Sequence, residues 1–228
     1  MSATAEERRE RLVDLFKEVS SCSKCPLHET RTKAVFGAGN ADADLMFVGE
    51  APGAEEDRQG LPFVGRAGQL LNQLLEEIGL AREDVFIANV LKSRPPGNRD
   101  PRPDEIAACE PYLFEQVRLI EPKVVCTLGN FATKLLTGSP VGITKVRGTP
   151  QLHELGGRSV FLLPLLHPAA ALRTPAMKET LRGDFATIPG LLAGPPPDPG
   201  PSAEEIAEAE AEGGSTPPPP ADQLDMFG

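Results

Sequence analysis

Asp44-Leu-Met-Phe-Val-Gly-Glu-Ala-Pro-Gly53 is the stretch that decides the fold. After Asp44, its first half is an apolar run with no polar residue left to face water, the pattern of a strand buried on both faces. Two glycines and a proline then form a tight turn, which can bring backbone N–H groups close to a ligand. The same kind of run recurs at Val85-Phe-Ile-Ala-Asn-Val90, at Val124-Val-Cys-Thr-Leu128 and at Ser159-Val-Phe-Leu-Leu-Pro-Leu-Leu166. Between these runs lie helical patterns. Residues 65–78 place Leu70, Leu71, Leu74, Leu75 and Ile78 inward. Asp104 is read as the N-cap of a helix running to about residue 120, and residues 131–136 and 176–191 are read as further helices. An N-terminal helix over residues 6–20 carries Leu12, Leu15, Phe16 and Val19 on one face. Strand and helix alternate, so the expected class is α/β, with a parallel sheet covered on both sides. Ligands in such sheets bind beyond the carboxyl ends of the strands, so the residues following each strand carry the chemistry.

Four of those residues form a set. Glu50 follows the first strand, and Phe63 sits in the Gly/Pro-shaped loop Gly60-Leu-Pro-Phe-Val-Gly65. Asn89 ends the second strand, and His167 ends the fourth. Taken singly, each has an ordinary structural role: a capping carboxylate, a core aromatic, a loop-satisfying amide, a structural histidine. Their joint arrival at one rim argues for a site. Together they suit a planar heterocycle. Phe63 offers a stacking face, and the Asn89 amide can read an adjacent N–H and C=O. His167 can donate to an oxygen gaining negative charge, and Glu50 can orient or deprotonate water. Arg94, Arg99, Lys145 and Arg147 are available to phosphates.

The 228 residues suit one domain with a tail. The net charge is −10, yet residues 195–228 hold eight acidic and no basic residues, which leaves −10 + 8 = −2 for the remainder. The whole-chain charge therefore does not exclude nucleic acid as a partner. Residues 194–228 are rich in Pro, Ala and Glu and are expected to be a disordered tail, with residues 1–193 as the domain. No run is long enough to cross a membrane, and the charged N-terminus has no secretory character. A cytoplasmic, reducing setting is therefore expected, which disfavours disulfides.

The chain has four cysteines. Cys22 and Cys25 form a C-x-x-C pair, and Cys109 and Cys126 lie far downstream. Cys126 sits in a buried-strand pattern and Cys109 in a helix, where either can be a plain core residue. Read as one set, the four thiolates suit a [4Fe–4S] cluster or a tetrahedral zinc.

Gly49-Glu-Ala-Pro-Gly53, residues 60–68, Asn89, Arg94-Pro-Pro-Gly-Asn-Arg99 and His167-Pro-Ala-Ala170 together resemble the family 4, iron–sulfur uracil-DNA glycosylases, over about residues 10–192. The resemblance implies a three-layer α/β/α fold around a four-stranded parallel sheet. It also implies a [4Fe–4S] cluster on Cys22, Cys25, Cys109 and Cys126, away from the reaction. The implied activity is hydrolysis of the uracil N-glycosidic bond in single- and double-stranded DNA by a monomer. On this resemblance Phe63 stacks on uracil, Gly49 and Ala51 line its pocket, Asn89 reads it, His167 donates to its O2, and Glu50 stands where a water-activating carboxylate belongs. The side chain that fills the hole left by the flipped base is expected at Ala171 or Leu172, beside Arg173. The segment Gln223-Leu224-Asp225-Met226-Phe227 resembles the pentapeptide that docks repair proteins on the sliding clamp. A non-catalytic uracil-sensing module and an electron-transfer protein are the competing classes. The second has no need of a Glu/Phe/Asn/His rim remote from its cysteines.

Overall fold

The computed structural model describes residues 4–197. The expected tail from residue 198 onward, with its clamp-docking segment, lies outside the described residues. The apolar runs form β2 (Leu45–Gly49), β3 (Phe86–Asn89), β4 (Val124–Leu128) and β6 (Arg158–Leu165). They pair in parallel in the order β3-β2-β4-β6. Two short antiparallel strands flank this core: β1 (Ala38–Gly39) on β3, and β5 (Gln151–Leu155) on β6. The sheet therefore has six strands, the four expected ones forming its parallel centre. β5 and β6 are joined by Gly156 and Gly157, both at positive φ, the backbone that a two-residue hairpin demands.

Each central strand is buried on both faces, and the alternation of its side chains splits the core in two. Met46, Val48 and Val125 pack with α1 (Ala5–Ser20), α4 (Pro103–Ile120) and α5 (Asn130–Thr137). Leu45, Phe47, Val124, Cys126 and Leu128 pack with α3 (Arg66–Glu77), α8 (Pro175–Phe185) and α9 (Ile188–Ala193). The result is the three-layer α/β/α arrangement. Among the described residues no helix is long and apolar enough to cross a membrane.

Local chemistry accounts for where the elements differ from expectation. The cap of α4 is Arg102 rather than Asp104. Pro103 takes the first helical position, where its missing N–H is harmless, and Glu105 accepts the Arg102 N–H at 2.8 Å. The expected helix over 176–191 is broken into α8 and α9 at Ala186 and Thr187. Phe16 is half exposed and lies edge-on to Phe36 instead of filling the core. Three short helices were not expected: α2 (Ala54–Gln59), α6 (Ile143–Val146) and α7 (Pro168–Ala171). Two of them carry the site. Register brings it together: Gly49 lies opposite Asn89, and Leu128 opposite Leu165, so the chain leaves β2, β3, β4 and β6 at one edge.

Candidate active site

At that edge Gly49, Asn89 and Phe63 are packed against one another. A Cβ on Gly49 would lie 2.3 Å from Asn89 Oδ1 and 2.8 Å from the Phe63 ring, so no larger residue fits. Asn89 is almost wholly buried, and its Nδ2 donates to Glu56 Oε2 at 3.2 Å. Glu56 stands on α2, the short helix started by the turn after β2. Burial raises the Glu56 pKa, while Asn89 and the N–H groups of Gly53 and Phe63 pull it back down. A carboxylate only accepts, so it turns the amide with Nδ2 toward itself and Oδ1 toward Gly49.

Phe63 is held as firmly. Its backbone has φ +52°, which an aromatic residue adopts only when its surroundings impose it. Arg82 Nη1 donates to its carbonyl at 3.1 Å, and Arg82 also binds the Pro62 carbonyl. Gly68 lets α3 run against the same carbonyl: a Cβ there would sit 1.6 Å from the Phe63 oxygen. The Phe63 ring lies 5.7 Å from that of His167, with 29° between the planes.

His167 is the N-cap of α7, and its Nδ1 accepts the Ala169 N–H at 3.1 Å. The proton of the neutral ring is therefore on Nε2. Burial pushes its pKa down to about 4, so the ring is a neutral donor around pH 7. Gly129, at φ +97°, keeps the chain clear of it, since a Cβ there would lie 3.1 Å from that of His167. His167 and Glu50 line one cleft of about 610 Å³ with Asp100, Asn130 and Lys134. Burial raises the Glu50 pKa, and the Asp100 charge adds to the shift. Among the described residues no donor holds the Glu50 carboxylate.

The structure thus brings Glu50, Gly49, Phe63, Asn89 and His167 together; Ala51 packs beside Leu91 and Cys109 behind them. Several expected phosphate contacts are otherwise engaged. Arg99 makes a two-pronged pair with the buried Glu105 at 2.9 and 2.5 Å, and Arg147 does the same with Asp184 at 2.8 and 2.6 Å. These two arginines brace the fold. Arg94 binds Asn98 Oδ1 at 2.7 Å, while Arg173 is exposed. Ala171 is buried in the core, whereas Leu172 next to it projects into solvent.

The cysteine set also needs correction. Cys22 lies against the layer of α1 and α4, and Cys25 and Cys109 share a small apolar cluster with Leu27 and Leu91. Cys126 points from β4 into the opposite layer, wholly buried among Phe47, Val124 and Leu163. Burial alone pushes its thiol pKa far up. Four thiolates including Cys126 therefore do not fit one centre. Among the described residues no three His, Cys, Asp or Glu side chains are gathered tightly enough for a single metal ion.

Sequence reading missed Glu56, Asp100, Asn130 and Lys92. Lys92 is fully buried, with Nζ donating to the Asn89 carbonyl at 2.8 Å and to Gln116 Oε1 at 2.7 Å. Its apolar neighbours were the only signal, and an isolated lysine among them reads as a strand end.

A family model described as the uracil DNA glycosylase superfamily matches residues 36–186. The chain is 49% identical to the type-4 uracil-DNA glycosylase of Sulfurisphaera tokodaii, over 78% of this chain and 84% of that protein. It is 46% identical to that of Archaeoglobus fulgidus, over 81% and 94% respectively. Against that of Thermotoga maritima the identity is 51%, over 72% and 85%.

Proposed function

This chain belongs to the uracil-DNA glycosylase superfamily, in its type-4 group, and we propose that it hydrolyses the bond between uracil and deoxyribose in DNA. The observation that carries the reading is the oriented Asn89 amide, held by Glu56 beside Phe63 and His167. Asn89 Oδ1 accepts the uracil N3–H, and its second Nδ2 proton goes to O4. Phe63 supplies the face on which the flipped base rests. As the C1′–N1 bond breaks, its electron pair moves into the uracil ring, and the His167 Nε2–H donates to O2, where the charge collects. Glu50, without a competing donor, positions the water that attacks C1′ and takes up its proton. The products are free uracil and an abasic site.

Taking a base out of the stack costs a few kcal/mol, least in single strands or mismatches. Leu172, exposed beside Arg173, is the side chain that fills the gap. The protein acts as a monomer on uracil-containing single- and double-stranded DNA in the cytoplasm. It carries a [4Fe–4S] cluster that cross-links the N-terminal segment to the core and supplies no chemistry at the base. The segment 223–227 docks the protein on the sliding clamp through Leu224, Met226 and Phe227. Removal of residues 195–228 should abolish clamp binding and leave turnover on short oligonucleotides intact.

The test of the activity is incubation with uracil-containing oligonucleotides, scored before and after alkali. Free uracil, with strand breakage only after alkali, is the expected result. Intact DNA after alkali would leave a base-sensing role, and a borohydride-trapped adduct would refute direct water attack.

A further inference from the structure

We propose that the iron–sulfur site is held by only three cysteines, Cys22, Cys25 and Cys109, with Ser93 at the fourth corner and Cys126 taking no part. This rests on the cluster assigned above. Cys126 lies on the wrong face of the sheet, and no side-chain rotation carries a strand residue through to the other layer. The other three thiols share one neighbourhood. Cys25 and Cys109 pack in a single apolar cluster. Cys22 lies against the layer of α1 and α4, and α4 is the helix that carries Cys109. A four-iron cluster binds one thiolate per iron, so its ligands stand farther apart than those of a lone ion.

The fourth wall of this neighbourhood is the segment after β3. The Lys92 N–H lies 3.4 Å from Cys109 Sγ. Ser93 follows directly, and it is 3% exposed. Its Oγ accepts from Arg31 Nη1 at 3.1 Å, and Arg31 also reaches back to the Ser20 carbonyl, so Ser93 is tied to the segment that carries Cys22 and Cys25. Ser93 thus brings a buried hydroxyl to the wall whose backbone already meets Cys109. Arg31 beside it favours loss of the hydroxyl proton to solvent as an iron–oxygen bond forms. An oxygen ligand binds iron less firmly than a thiolate, so this corner is the weak one.

The consequence is a removable iron. With ferricyanide as oxidant, the cluster gives up one electron to it and releases one Fe(II), which leaves a three-iron, four-sulfide centre. The experiment compares anaerobically purified full-length wild type with Ser93→Cys and Cys126→Ala, by iron content and electron paramagnetic resonance. Wild type should lose about one iron in four on oxidation and give the three-iron signal. Ser93→Cys should keep its iron under the same treatment. Cys126→Ala should match wild type in iron content. An equal response of wild type and Ser93→Cys would overturn the Ser93 assignment, and this comparison stands even where Cys126→Ala fails to fold. Loss of iron from a folded Cys126→Ala would overturn the exclusion of Cys126. Absence of iron from wild type would instead refute the cluster itself.

Discussion

Replacing Glu56 by Gln removes the group that fixes which way round Asn89 stands. In the native protein a carboxylate oxygen faces Nδ2 at 3.2 Å. Turning the amide over would bring Oδ1 against that oxygen and break a charge-assisted hydrogen bond, which is worth roughly 1.5–3 kcal/mol. At about 1.4 kcal/mol per factor of ten, the native orientation is favoured by about 10- to 100-fold. Gln can offer either its oxygen or its amino group, so in the variant both orientations become comparable. The native orientation accepts N3–H and donates to O4, matching uracil. The inverted one donates to N3 and accepts from a 4-amino group, matching cytosine. The variant should therefore keep uracil turnover within a few-fold while its preference for uracil over cytosine falls by about 10- to 100-fold. The assay is base release under single-turnover conditions from matched oligonucleotides holding one uracil or one cytosine. Discrimination unchanged within two-fold would refute the claim that Glu56 sets the orientation. Lowering the pH should act in the same direction in wild type, because burial raises the Glu56 pKa and a protonated carboxyl can also donate.

His167→Ala removes a donor needed mainly in the transition state and should lower kcat by about 10²–10³-fold with little change in KM. The partly buried His167 has a folded pKa of about 4 against an ordinary 6.5, so the unfolded chain takes up the proton first. Its contribution to stability is complete above pH 6.5 and lost as pH falls toward 4, on the order of 3 kcal/mol, and urea midpoints of wild type against His167→Asn should converge over that window. Glu50→Gln should depress kcat and leave the uracil-to-cytosine ratio unchanged, as measured in the same paired-oligonucleotide assay. Leu172→Ala should slow uracil release from duplex DNA more than from single strands, since only the duplex has a hole to fill.

What the sequence revealed and what it hid follow from which physical pattern each residue obeys. β2 and β4 were legible because a near-continuous apolar run has few other places to go. β5 was not, because Gln151-Leu-His-Glu-Leu155 is half polar and forms a strand only with β6 beside it and Gly156-Gly157 to turn the chain. The rim residues were legible because strand ends in a parallel sheet converge. Glu56 was not, since it reaches the rim from a helix of six residues, too short for periodicity to register. The error at Cys126 has the same root. Counting cysteines and their separations says nothing of facing. Val125 and Cys126 are neighbours in the chain yet lie in opposite layers, so a shift of one position decides whether a thiol can reach the centre. Ser93 carried no signal, because a serine before Arg94-Pro-Pro reads as a loop residue.

Glu50 and Glu56 stand six positions apart, yet their surroundings divide the work between them. Burial raises the pKa of both. Around Glu56, Asn89 and two backbone N–H groups donate to the carboxylate and oppose the shift, and the Arg82 charge opposes it from a distance. A carboxylate so held is a fixed acceptor with no capacity for a water, and its effect passes through Asn89 to the choice of base. Around Glu50 the Asp100 charge, of the same sign, adds to the rise that burial causes and offers no proton. Its lone pairs stay open to the cleft that His167 also lines. A carboxylate with a raised pKa, a like charge beside it and no donor is a better proton acceptor than one in water, because protonation relieves the repulsion. The chain leaving β2 thus supplies both carboxylates, Glu50 before Gly53 and Glu56 on the helix after it. The donors at hand, rather than burial, make one a fixed part of base recognition and leave the other free to act on water.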